Sequence, residues 1–211
     1  MTKKINNILD YFSELFPHAG CELKYHNDYQ LAIAVMLSAQ TTDKKVNTVT
    51  EKLFSIYPNL ISLSNASPND VQNVIKTLGM SKNKARYTVE IAKRISEEFN
   101  GIVPSDREVL MSLPGVGNKT ANVIRAELFK IPELPVDTHV MRVSKRLGLV
   151  LNSDNPIQIE KKLKKIIPLE RQILTHHQMI HFGRYFCKAR SPKCEQCKLK
   201  EVCLYQLKKI K

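Results

Sequence analysis

"LPGVGNKTA", residues 113–121, sets two glycines around a valine and then puts a lysine where a helix begins. Upstream, "PSDREVLMSL" offers Ser105 as an N-cap with Glu108 three residues on, the capping-box spacing, followed by apolar Val109, Leu110 and Leu113. Pro114 stops that short helix. Downstream, Ala121, Ile124 and Leu128 fall three and four apart, which predicts a second helix to about Phe129, before Pro132 and Pro135. The unit over about 106–129 therefore reads as helix, glycine hairpin, helix.

Glycines in such a hairpin can take φ > 0 and let another backbone come close, while the second helix presents unpaired N–H groups outward. Amides so arranged suit a phosphate. Lys119 then lies in the first helical turn, where the positive end of the macrodipole disfavours a protonated lysine by up to ~1 kcal/mol. It is either a phosphate clamp or an amine intended to be neutral.

The rest of the chain repeats the helical signal. Ile5, Ile8, Leu9, Phe12, Leu15 and Phe16 make an amphipathic N-terminal helix, and residues 29–39 make one that is apolar almost all round, hence central. Val46, Val49, Leu53 and Ile56 continue the pattern. Ser67, Pro68 and Asp70 open a helix that Gly79 ends, and Ser81 caps the next. Residues 138–147, 156–167 and about 169–185 supply three more. No strand or hairpin signal stands out, so the fold class is all-α.

The chain has 33 Lys+Arg against 20 Asp+Glu, a net charge of +13 spread along its 211 residues, and 43% hydrophobic content. That is enough apolar material for one or two cored domains and an electrostatic footprint suited to nucleic acid. The longest apolar run, "LAIAVML" at 31–37, is far too short to span a bilayer, and no signal-peptide pattern opens the chain. The expectation is a cytoplasmic protein with no membrane association.

Four of five cysteines fall in seventeen residues, "CKARSPKCEQCKLKEVC": Cys187, Cys194, Cys197 and Cys203, with six, two and five residues between them. Such thiolates can wrap a four-cysteine zinc or a [4Fe-4S] cluster, and the spacing alone does not choose. Disulfides are disfavoured in an intracellular setting. Cys21 lies outside the pattern and is assigned no role.

Taken together, "LPGVGNKTANV", "VDTHVMRV" (136–143), "HFGRYFC" (181–187), "MLSAQ" (36–40) and the cysteine spacing resemble the endonuclease III family, essentially from end to end. The resemblance implies a two-lobed helix-hairpin-helix DNA glycosylase fold with a C-terminal [4Fe-4S] cluster loop. Residues 21–131 would form a six-helix barrel domain, residues 1–20 plus 132–211 the cluster domain, with DNA across the cleft between Lys119 and Asp137. It also implies base-excision repair: removal of oxidised pyrimidines from duplex DNA by a lysine amine at C1′, then β-elimination at the abasic site.

The family's lysine falls on Lys119. An ordinary lysine, with pKa ~10.4, is under ~0.1% free amine at pH 7, and the helix dipole, partial burial and nearby cations are expected to lower that pKa. The family's aspartate falls on Asp137, which also reads as the N-cap of the following helix; both roles can coexist. Base extrusion leaves a hole in the stack, which the resemblance assigns to Gln40, with Met80 as the wedge; their bland readings are a surface helix end and satellite core packing. Gly115, Val116 and Gly117 are expected to offer amides to phosphate, and Lys188, Arg190 and Lys193 to touch the DNA backbone from the loop between the first cluster cysteines. His139 is expected to be structural or to touch the site, and His176, His177 and His181 to pack or to bond around the cluster. Arg125 and Glu127 place charge where such enzymes tend to have uncharged residues, on a face expected to be exposed.

Relatives remain as alternatives. An adenine glycosylase lacks the lysine and has a further C-terminal domain, whereas this chain ends eight residues after Cys203. A thymine-mismatch glycosylase usually replaces the lysine, and a non-catalytic DNA-binding module has no use for Lys119 and Asp137 together. The pairing favours an enzyme; the expected state is a monomer.

Overall fold

The computed structural model describes residues 2–207, and among them it is helical with no strand. The α-helices are α1 (Lys3–Leu15), α2 (Asp28–Leu37), α3 (Asp43–Ile56), α4 (Leu60–Ser64), α5 (Pro68–Ile75) and α6 (Ser81–Glu97), then α7 (Arg107–Ser112), α8 (Asn118–Phe129), α9 (Thr138–Arg146), α10 (Pro156–Ile166), α11 (Gln172–His181) and α12 (Leu204–Leu207). The chain divides into two compact units, Glu22–Phe129 and Met1–Cys21 with Lys130–Lys211.

In the first unit α2 is the hub. Leu31 to Leu37 are all buried, because the helix has no polar face to turn outward, and α3, α6 and α8 pack on it. Seven consecutive buried apolar residues give a rigid rod whose C-terminal end carries the Ala39–Thr41 turn. α7 and α8 form the glycine hairpin and pack against each other.

The second unit is built on the apolar faces of α1, α9, α10 and α11. Ile8, Phe12, Val140, Val143, Leu163, Met179 and Phe182 form its core, with Phe12 and Phe182 ring centroids 5.0 Å apart. α10 begins as its sequence dictates: Asn155 and Gln158 exchange a capping box around Pro156 at the first helical position.

Several boundaries differ from the sequence reading. The cap of α7 is Asp106, not Ser105; its carboxylate accepts from the Val109 N–H, so the next residue along took the role. Ser81 is not a cap but the first residue of α6, because Met80 before it adopts left-handed backbone with φ 57°. α5 stops at Ile75, four residues before Gly79. The span expected as one helix over 169–185 is a 3-10 turn (Leu169–Arg171), α11 and a π turn (Phe182–Phe186). In that wide turn the Cys187 N–H reaches back to the Phe182 carbonyl at 2.6 Å. α4 was not anticipated: five residues with one buried side chain, Leu63, are too short to show a period.

Candidate active site

The hairpin is held together by its own backbone. Leu113 N–H donates to Leu110 C=O, Val116 N–H to Leu113 C=O at 3.1 Å, and Ala121 N–H to Gly117 C=O at 2.9 Å, the first bond of α8. Gly115 has φ +77°, and an added Cβ would lie 2.7 Å from a Tyr87 ring carbon and 3.2 Å from Met36 Cγ, so only glycine fits there. Gly117 is different: its φ is not left-handed, and a Cβ would meet nothing within 4 Å. Val116 departs from the expectation of an outward amide, since its N–H is engaged and its side chain is buried as the plug of the hairpin. Arg107, at the start of α7, donates to the side chain of Asn118, the first residue of α8, and ties the two helices together.

Lys119, the second residue of α8, is exposed. The partial burial expected for it is not present in the free protein. The N–H groups of the same first turn have no intrahelical carbonyl to bond.

Asp137 caps α9. One carboxylate oxygen, Oδ1, accepts from the His139 N–H at 2.8 Å and the Val140 N–H at 2.7 Å, leaving Oδ2 outside those two bonds. The residue is half-buried. His139, two residues on, sits under Gly183, with its Nδ1 3.2 Å from the Arg142 guanidinium. Burial depresses its pKa and Arg142 and Arg184 push the same way, against Asp137, so the ring favours its neutral form.

Gln40 and Met80 share an uncommon property. Both are non-glycine residues in the left-handed region, φ 56° and 57°, and both are exposed. Met80, 51% accessible, is not part of a core, which removes its packing explanation. Glu127 corrects another expectation: it is buried, so the charge on α8 does not decorate an exposed face.

The four cysteines line one pocket, together with Leu147, Phe182, Phe186 and Arg146. Four thiolates can give one cysteine to each iron of a [4Fe-4S] cluster, so the residues present fit that group. Burial pushes the Cys187 and Cys197 thiols up, opposed by Arg146 at Cys187 and by the Leu199 N–H at Cys197. Ligation by the thiolates therefore releases protons.

Arg146 was missed in the sequence. Its guanidinium lies 3.3 Å from Cys187 Sγ, donates to the carbonyls of Lys188 at 2.7 Å and Ala189 at 3.1 Å, and stacks on Tyr205 at 4.3 Å. Arg142, one turn earlier, donates to Gly183 C=O at 2.8 Å. The only signal was their spacing of four on the α9 face. Lys188, Arg190 and Lys193 are all exposed on the loop that Arg146 holds, and Lys193 lies 6.0 Å over the Phe186 ring. His176 and His177 are buried, and His181 packs edge-on against Phe16 and Tyr185.

Comparison with known proteins decides the family. Residues 33–169 match the model of the HhH-GPD superfamily base excision DNA repair proteins, and residues 187–203 match the iron-sulfur binding domain of endonuclease III. The chain is 45% identical to endonuclease III of Bacillus subtilis (strain 168), covering 95% of this chain and 92% of the relative. The chain belongs to the endonuclease III family. Endonuclease III of Escherichia coli (strain K12) is 39% identical over 95% of both chains. A trapped covalent endonuclease III–DNA intermediate, an estranged-adenine complex, superposes with TM-score 0.93 at 45% identity and full coverage of both chains. A thermostable thymine-DNA glycosylase, TM-score 0.85 at 22% identity and 98% coverage of both, shares the fold.

As an endonuclease III, the chain is a base-excision DNA glycosylase with abasic-site lyase activity through a lysine Schiff base, and its cofactor is a [4Fe-4S] cluster. No described helix is long and apolar enough to cross a membrane.

Proposed function

We propose that Lys119 is the nucleophile, Asp137 its carboxylate partner, and oxidised pyrimidines in duplex DNA the bases removed. The observation that carries the reading is the position of Lys119: exposed in the first turn of α8, two residues after the open glycine of the hairpin, Gly117. An amine there meets a sugar whose neighbouring phosphate the Gly115 and Gly117 amides and the first-turn N–H groups receive.

In the reaction the neutral Lys119 Nζ attacks C1′ and the damaged base departs with the bonding pair, taking up a proton. Loss of a proton from the amine and opening of the sugar leave a Schiff base. Removal of a C2′ proton then expels the 3′ phosphate. Asp137 is suited to the charge that develops at C1′ and to moving protons, because its Oδ1 is held by two amides while Oδ2 lies outside those bonds. Cys187 and Cys194, at the two ends of the basic loop, would with Cys197 and Cys203 hold the cluster, which would fix both ends of that loop. Lys188, Arg190 and Lys193 then meet phosphates with little loop entropy to lose. The enzyme works as a monomer in the cytoplasm.

Borohydride trapping on duplex DNA containing thymine glycol tests the assignment. The parent protein is expected to give a covalent adduct that Lys119→Ala does not. An adduct of undiminished yield from cluster-loaded Lys119→Ala would move the nucleophile elsewhere.

A further inference from the structure

Lys84 is a lysine where none is expected. It lies one turn into α6 with 3% of its surface accessible, and burial, together with the charge of Lys45, depresses its pKa. Burying an ammonium is costly unless its protons are taken up by acceptors. Here Nζ donates to the Ala39 C=O at 2.8 Å and to Thr41 Oγ1 at 3.1 Å. Those two residues flank Gln40. The same Lys84 closes the first backbone turn of α6 by donating its N–H to the Met80 C=O at 3.0 Å, and Thr88 Oγ1 donates to its carbonyl at 2.8 Å.

One residue thus bonds to the two neighbours of left-handed Gln40 and to the carbonyl of left-handed Met80. A non-glycine residue in that region is disfavoured by roughly 1–2 kcal/mol, so neither turn keeps its shape without support from its surroundings. The Ala39–Thr41 turn has one backbone bond of its own, Thr41 N–H to Ser38 C=O at 3.0 Å, with Ala39 N–H reaching Met36 C=O at 3.4 Å. The Thr41 hydroxyl donates to the Ala39 C=O at 3.4 Å, and Lys84 ties the turn to α6. It also places positive charge at the C-terminal end of α2, where the macrodipole favours it.

We propose that Lys84 is a positioning residue that locks the Gln40 turn to the Met80 end of α6, so that the two exposed side chains enter the DNA stack as one preorganised unit. The proposal rests on the reading of Gln40 as the residue that fills the vacated space. Ordering the turn in advance removes that cost from the base-extrusion step. Lys84 itself touches no substrate.

The test uses the cluster-loaded full chain with Lys84→Met, which keeps the length and apolar stem but no donor, Lys84→Arg, Gln40→Ala and the double variant Lys84→Met/Gln40→Ala. Two readouts are taken: single-turnover excision of thymine glycol from duplex DNA, and the fluorescence of 2-aminopurine opposite a non-cleavable abasic analogue at saturating protein. Lys84→Met is expected to slow excision on the order of ten-fold, the scale of one charge-assisted hydrogen bond. It should also lose the 2-aminopurine response as Gln40→Ala does. In the Gln40→Ala background it should add less than two-fold, because both act through one side chain. Lys84→Arg is expected to restore part of the response. Thr41→Val, which removes one acceptor and leaves the lysine in place, should shift it the same way to a smaller extent and keeps the test open if Lys84→Met folds poorly.

Losses that multiply in the double variant, or a full 2-aminopurine response from Lys84→Met, would overturn the positioning role while leaving the Gln40 reading intact. Undiminished excision and response from Gln40→Ala would remove that reading, and this proposal with it.

Discussion

Replacing Gly115 and Gly117 one at a time by alanine separates the two jobs of the hairpin. At Gly115 the methyl group meets the Tyr87 ring at 2.7 Å and Met36 at 3.2 Å, and the backbone stands at φ +77°. Left-handed backbone disfavours alanine by roughly 1–2 kcal/mol, and forcing a methyl into a packed site costs roughly 1–3 kcal/mol more. Some relief by the Tyr87 ring brings the sum to about 2–4 kcal/mol, a fall in melting temperature of roughly 4–16 °C for a chain of this size. At Gly117 neither term applies: no atom lies within 4 Å of the added carbon and φ is not left-handed. The poorer N-cap and the gain from a stiffer unfolded chain then offset within about 1 kcal/mol. On the proposed reading of the hairpin, its methyl would instead stand where a phosphate approaches. Melting of the cluster-loaded variants, beside equilibrium binding to a duplex with a non-cleavable abasic analogue, should show Gly115→Ala losing stability and Gly117→Ala losing affinity ten-fold or more. Parent-like melting of Gly115→Ala would refute the packing account, and parent-like binding by Gly117→Ala would refute phosphate approach at that residue.

Three further outcomes are expected. Asp137→Asn keeps an oxygen for the His139 and Val140 amides and should melt near the parent while excision falls on the order of 10²-fold or more; Asp137→Ala should lose about 1 kcal/mol of stability as well, and equal activity of the parent and the Asn variant would leave Asp137 a cap only. Because burial holds the Lys84 pKa below its ordinary value, the native state binds fewer protons than the unfolded chain between the two values. Stability should therefore rise with pH as the ordinary lysine range is approached. Lys84→Met should lack that rise in urea midpoints taken from neutral to alkaline pH, and parallel curves would contradict it. Changing Lys188, Arg190 and Lys193 together to Gln should reduce the slope of log affinity against log salt by up to about 2.7, with excision at saturating protein little changed; an unaltered slope would remove the loop from the interface.

Much of the molecule is written in short stretches of sequence. The six-two-five cysteine spacing, the hairpin glycines, the lysine in the first turn of α8 and the Asp137 cap each depend on residues a few positions apart, where loop closure and helix geometry allow few alternatives. The all-α class follows from the same local periodicity. Two helix starts moved by one residue where neighbours compete for one role, as Asp106 displaced Ser105 and Met80 preceded Ser81, whereas the early end of α5 and the break in 169–185 are larger departures. What the tertiary structure alone decided lies between distant positions. Lys84 reaches acceptors 45 and 43 residues away, and Arg146 bonds carbonyls 42 and 43 residues along the chain. The turn that holds Gln40 in left-handed backbone is tied to α6 by two of these long-range bonds. A side chain's hydrogen-bond partners are set by which helices pack together, and packing is a property of the whole core that no single stretch of sequence contains.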